Sequence, residues 1–145
     1  MTDINNKNLY IGGSSYNSLI IITFTWTGLG GDVKWTNSNN WTGAVGYPSA
    51  STEIAIITTT SGTQPTINSV DNISVYQLTV GNGMTLTMQP SSVINVFDTL
   101  TFSGTAAFDP ASTFGYSSSN NAQNIINLNY GNLAITGTGA KNLGL

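Results

Sequence analysis

From residue 51 onward the chain is cut into short runs in which apolar and polar residues alternate, each closed by turn residues. Glu53–Thr58, Ser74–Val80, Met84–Met88, Val93–Phe97, Leu100–Phe102 and Leu133–Thr136 are these runs. Period-two alternation rich in β-branched residues marks strands with one buried face. No window keeps helical spacing over three turns, and no Ser or Asp cap precedes a convincing amphipathic run. The sequence therefore predicts an all-β chain with almost no helix.

Spacing between the runs narrows the architecture. Leu78, Leu86, Ile94 and Leu100 recur every six to eight residues, with Gly, Asn, Pro or Asp between them. Such strands, meeting at corners, suit the rungs of a right-handed parallel β-helix or solenoid. They also suit the hairpins of a small β-sandwich. Spacing alone leaves both open; the solenoid is the preferred expectation. Asn68, Asn72, Asn82, Asn95, Asn120 and Asn121 are expected at left-handed corners or in ladders between rungs.

Three zones follow. Residues 1–24 hold Leu9-Tyr10-Ile11-Gly12-Gly13 and Leu19-Ile20-Ile21-Ile22, two β-prone runs across a polar turn, read as a hairpin or docking arm. Residues 25–50 carry all three tryptophans and many turn residues, and are read as a Trp-rich cap. Residues 51–145 form the solenoid-like region.

The surface this predicts is almost uncharged. Among 145 residues there are three lysines, six acids, no Arg and no His, so charged residues make up 6% against about 25% in ordinary domains. Ser, Thr, Asn and Gly supply about half the chain, yet 39% is hydrophobic. That is enough apolar material for a core, unlike a disordered segment. Lys7, Lys34 and Lys141 cannot neutralise a run of phosphates, which argues against nucleic-acid binding. The apolar run Leu19–Ile22, extended through Phe24 and Trp26, is too short to span a bilayer. It lacks the flanks of a signal peptide, so the expectation is either a mature chain that has lost its leader or release without one, as by lysis.

Two stretches carry a resemblance. Thr25-Trp26-Thr27-Gly28, Asp32-Val33-Lys34-Trp35, Asn40-Trp41-Thr42-Gly43 and Pro48, followed by Ile54-Ala55-Ile56, form the first. Tyr130-Gly131-Asn132-Leu133-Ala134-Ile135-Thr136-Gly137-Thr138-Gly139-Ala140-Lys141-Asn142-Leu143 form the second, led in by Gly115-Tyr116 and Ala122-Gln123-Asn124-Ile125. Together they resemble repeat units of large secreted adhesin-like proteins of Bacteroidetes. The resemblance implies a parallel β-solenoid surface module without catalysis. The secretion elements of those proteins have no counterpart here. Lys7-Asn8-Leu9-Tyr10-Ile11-Gly12-Gly13 is similar to short arms in phage tail and fibre proteins. With the Met1 start, this turns the expectation toward a phage infecting such bacteria.

Catalytic candidates are few. Without His or Cys, Ser-His and Cys-His nucleophiles and zinc sites are excluded. Asp32, Glu53, Asp71, Asp98 and Asp109 could supply a glycosidase pair, but the last three stand beside turn residues, where Asp commonly caps. No calcium-loop spacing exists. The tryptophans could be a sugar-stacking platform; packing at the blunt end of the solenoid is the preferred reading. Gly28-Leu29-Gly30-Gly31 reads as a turn, and the sequons at Asn40 and Asn72 carry no weight.

No catalytic, cofactor-binding or metal-binding residue is assigned, and no cofactor is expected. The expected role is a non-enzymatic structural or adhesive protein at a virion surface, such as a head fibre, tail fibre or spike. A bacterial cell-surface adhesin repeat and a fragment of a polysaccharide depolymerase are the alternatives. Expected partners are further copies of the chain, with a trimer favoured, other virion or surface proteins, and a host glycan as candidate ligand. Neither nucleic acid nor a membrane span is expected.

Overall fold

The computed structural model describes residues 2–3, 8–11, 14–17, 19–58 and 62–144, the first three segments as backbone. The chain is all-β, and regular helix among these residues is limited to one 3-10 turn at Ser38–Asn40. Strands β1 (Thr2–Asp3), β2 (Asn8–Ile11) and β3 (Ser14–Asn17) form an antiparallel sheet in that order. The remaining strands build a parallel β-solenoid of about four turns.

The first turn comprises β4 (Ile22–Trp26), the 3-10 turn and β5 (Trp41–Thr42). The second holds β6 (Glu53–Ile57), β7 (Thr66–Ile67) and β8 (Asn72–Val75). The third holds β9 (Gln77–Val80), β10 (Thr85–Met88) and β11 (Val93–Val96), and the fourth β12 (Leu100–Phe102), β13 (Thr105–Phe108) and β14 (Thr113–Tyr116). Beyond them lie β15 (Gln123–Ile125), β16 (Asn132–Ile135) and β17 (Lys141–Leu143).

Three parallel faces result: β4-β6-β9-β12, β7-β10-β13 and β8-β11-β14-β16, with β15-β17 as a separate pair. The positions Leu78, Leu86, Ile94 and Leu100 go once round the molecule, one on each face and then back to the first. Sandwich hairpins would be antiparallel; these faces are parallel, which decides for the solenoid.

Register is in phase from turn to turn, so like side chains stack. Ile73, Ile94, Phe114 and Leu133 form one inward column, and Val75, Val96, Tyr116 and Ile135 the next. Ile67, Met88 and Phe108 stack on the second face, and Phe24, Ala55, Leu78 and Leu100 on the first. Ala55 to Leu78 is a step of 23 residues and Phe114 to Leu133 one of 19, so the turns shorten toward the C-terminal end. Ile73, Val75, Ile94, Val96, Leu78, Leu86 and Met88 are all essentially solvent-free. Each such aliphatic burial is worth roughly 1.5–3 kcal/mol.

The segment between Ile20 and Phe24 differs from the hairpin expectation. Ile22 pairs with Glu53 and Phe24 with Ala55, so this run opens the solenoid instead of folding back on Leu9–Ile11. Phe24 and Trp26 alternate with exposed Thr23 and half-buried Thr25, and their rings are needed in the core. Of the proposed arm motif, Lys7, Gly12 and Gly13 lie outside the described residues.

Among the described residues, no Asn takes a left-handed corner position. Those positions include Val70 (φ 65°), Ser91 (φ 61°) and Gly83 (φ 77°). Val70 and Ser91 occupy the third position of equivalent turns, 68–71 and 89–92, closed by the Asp71 and Ser92 N–H groups. A positive φ at that position defines a type II turn and favours Gly or Asn. The turn at 109–112 is closed the same way by the Ser112 N–H, with Pro110 at its second position as Pro90 is one turn earlier. A β-branched residue there is strained, and the Val70 side chain is 82% exposed, so its own burial does not offset the strain.

Two substitutions test this architecture by urea denaturation. Ile94→Ala, which opens a void in the central column, lowers stability by about 3 kcal/mol. Val70→Asn relieves the corner and raises stability by about 1 kcal/mol.

Candidate functional site

The two ends of the solenoid are built differently. At the N-terminal end the three tryptophans form a plug. Trp26 and Trp35 are solvent-free and Trp41 is 6% exposed. Trp41 meets Trp26 and Trp35 edge-on at ring-centroid distances of 5.0 and 4.7 Å, and Phe24 at 6.5 Å. Each indole N–H is satisfied by a backbone oxygen: Trp26 by Thr63 (2.7 Å), Trp35 by Pro48 (2.8 Å) and Trp41 by Trp35 (2.7 Å). No indole face is left open for stacking a sugar.

A polar clasp holds the plug in place. The buried Asn40 amide donates to Asp32 Oδ1 (2.9 Å) and accepts from the Gly30 N–H (2.7 Å). Asp32 Oδ1 also accepts from Asn37 Nδ2 and the Lys34 N–H. The Gly28–Gly31 loop is thereby a structural turn tied to Asn40 and to Thr63. Asn40 of the first sequon is fully buried, whereas Asn72 of the second is exposed.

Glu53, Asp71, Asp98 and Asp109 also bind turns or corners. Glu53 Oε2 accepts from the Ser49 and Ala50 N–H groups, Asp71 Oδ2 from Asn68 N–H, and Asp109 Oδ1 from Ala111 N–H. Asp98 joins successive turns at one corner, taking Gln77 Nε2 at 2.7 Å and Asn121 Nδ2 at 2.6 Å. Partial burial opposes ionisation of Asp98, but the Gln77 and Asn121 amides, with the Thr99 and Tyr76 hydroxyls, outweigh it and hold the carboxyl below its ordinary value. The Asn37 hydrogen bond leads a similar lowering at Asp32, against desolvation and with help from Lys34 and Asn40. Among the described residues no three His, Cys, Asp or Glu side chains converge as a metal cage would require.

Two further features were not revealed by the sequence alone, one at the C-terminal end and one along a corner of the stack. The first is an open end. Leu133, Ile135 and Leu143 continue the inward columns, yet are 41%, 47% and 69% exposed. Beside them Ile125, Ile126, Leu128, Tyr130 and Leu143 line an apolar hollow of about 520 Å³. Beneath it Phe102, Phe108, Phe114, Tyr116 and Tyr130 form an aromatic layer. The Tyr116 and Tyr130 hydroxyls lie 2.7 Å apart, and Tyr130 donates to Ile126 O (2.6 Å). Burial pushes both phenols up.

The second feature is a groove of about 290 Å³ along the corner between the third and first faces. Tyr76 and Phe97 lie in it on successive turns, flanked by Leu19, Ser51, Thr52, Ser118, Asn120 and Asn121. A sequence signal existed. Tyr76 and Phe97 each follow an inward valine, Val75 and Val96, and place a large ring where alternation demands an outward residue.

No protein-family model, curated protein or solved structure matches the chain. Among the described residues, no helix is long and apolar enough to cross a membrane, which says nothing of strands.

Acid titration checks the carboxylate clasps. A carboxyl whose folded pKa is depressed contributes stability above its unfolded pKa and loses it as pH falls through the folded one. Stability is therefore flat from pH 7 to about pH 5, with no His to titrate, and falls progressively below about pH 3.9. In Asp98→Asn the acid slope becomes shallower, measured as melting temperature against pH.

Proposed function

We propose that this chain is a non-enzymatic structural or adhesive protein exposed at a phage virion surface, as part of a head fibre, tail fibre or spike. The observation that carries the reading is the employment of its acids. All five described carboxylates hold turns or corners, and there is no His or Cys to act in their place. A glycosidase needs two carboxyls facing one substrate bond. These are instead fastened to five separate parts of the scaffold, which also counts against a polysaccharide depolymerase.

The coat of Thr, Ser and Asn supports a surface role. It hydrates the stack without charge, a solution better suited to a fixed assembly than to a free monomer. Assembly is a homo-oligomer, with a trimer favoured, and the open end is the natural contact. Exposed Leu133, Ile135 and Leu143 there want cover, and among the described residues the outer edges of β16 and β17 have no further strand beside them.

A second reading has its own support. The inward columns stay in register up to the open end, which suits one unit of a longer cell-surface adhesin array related to the Bacteroidetes repeats it resembles.

Immunogold microscopy with antibody against this chain separates the readings. Gold on the exterior of purified particles is the expected result. Gold confined to the bacterial cell surface favours the adhesin repeat instead, and label restricted to the cell interior contradicts both.

A further inference from the structure

The corner groove is distinct from both ends and takes part in neither the plug nor the open columns. Its depth comes from the turn-to-turn step. The Phe97 N–H donates to Val75 O (3.0 Å) and the Asp98 N–H to Tyr76 O (2.7 Å), which sets the Tyr76 and Phe97 positions one above the other. Strands in such a ladder are ~4.8 Å apart. The two half-buried rings therefore form a strip along the solenoid axis, bordered at one end by Ser51 and Thr52 and at the other by Asn120 and Asn121.

We infer that this groove binds a neutral saccharide chain laid along the axis, a ligand assignment that rests on the surface-exposed reading for its biological source. Aromatic faces offer apolar contact to the C–H face of a sugar ring while leaving its edge wet. Amides and hydroxyls at the border donate and accept, as sugar hydroxyls do. The Asn121 amide is already oriented, because its Nδ2 is held by Asp98, so its carbonyl is presented at no further cost in freedom.

Other ligand classes fit less well. An extended peptide docks by adding main-chain hydrogen bonds at a free strand edge. Here the corner N–H groups of Tyr76, Phe97, Asp98 and Ser117 are all donated within the ladder. An anionic ligand would meet the Asp98 carboxylate with no free cation beside it among the described residues. The nearby Lys141 ammonium is bound to the carbonyl oxygens of Ser118 (2.9 Å) and Gly139 (2.8 Å).

The test probes the full chain on a printed array of neutral and acidic glycans. Tyr76→Leu and Phe97→Leu are the variants, because they keep apolar bulk and remove the ring. Val45→Ser, in the exposed loop after β5, is the control. The expected result is retention of neutral glycans, at least tenfold weaker in either Leu variant and unchanged in the control, with every variant folded by circular dichroism. A preference for acidic glycans, binding unaffected in both Leu variants, or retention of no glycan overturns the inference. Surface labelling without glycan retention removes the groove assignment alone. Glycan retention without surface labelling removes the surface reading and leaves the groove.

Discussion

Each turn of the solenoid is held by the turn before it, through parallel backbone ladders that keep like side chains in register. A single turn cannot bury its own apolar row; only stacking closes the column. The columns through Ile73, Ile94 and Phe114 and through Val75, Val96 and Tyr116 are that closure. The fold therefore has two boundary problems, one at each end of the stack. The tryptophan plug solves the first with three indoles whose N–H groups all find backbone acceptors. The second is left to Leu133, Ile135 and Leu143, which lie over the aromatic layer with one side bare.

This asymmetry organises the chemistry as well. Acids that might have faced a substrate are spent on corners: Asp32 on the plug, Asp98 between turns, and Asp71 and Asp109 on equivalent bends. In a chain with so few charges, each carboxylate that accepts several N–H groups is worth more as an anchor than as a solvated surface charge. What the stack presents to solvent is an open apolar end and a corner groove with two rings in it.

Much of this fold was legible in the residues. Alternation in Met84–Met88 and Val93–Phe97 marks one inward face per strand, and the recurrence of Leu78, Leu86, Ile94 and Leu100 marks three faces per turn. Parallel pairing was harder to read, because alternation is the same in a hairpin and in a rung. A second signal was present: Pro90-Ser91-Ser92 and Pro110-Ala111-Ser112 occupy the same corner one turn apart, with Ser92 and Ser112 buried and donating to Gln89 O and Asp109 O. The corner conformations were not legible, since tertiary stacking forces Val70 into a geometry its own propensity opposes. Of the candidate site, the burial of the tryptophans followed from the need to close an end. The groove at Tyr76 and Phe97 did not, because it exists only once two turns are stacked.

Amide hydrogen exchange tests the stack most directly. Protection should be highest in β8 to β11, at the centre of the columns, and should decline toward β16 and β17, whose outer edges are unpaired among the described residues. Uniform protection along the chain, or its maximum in β17, would contradict a solenoid plugged at one end and open at the other.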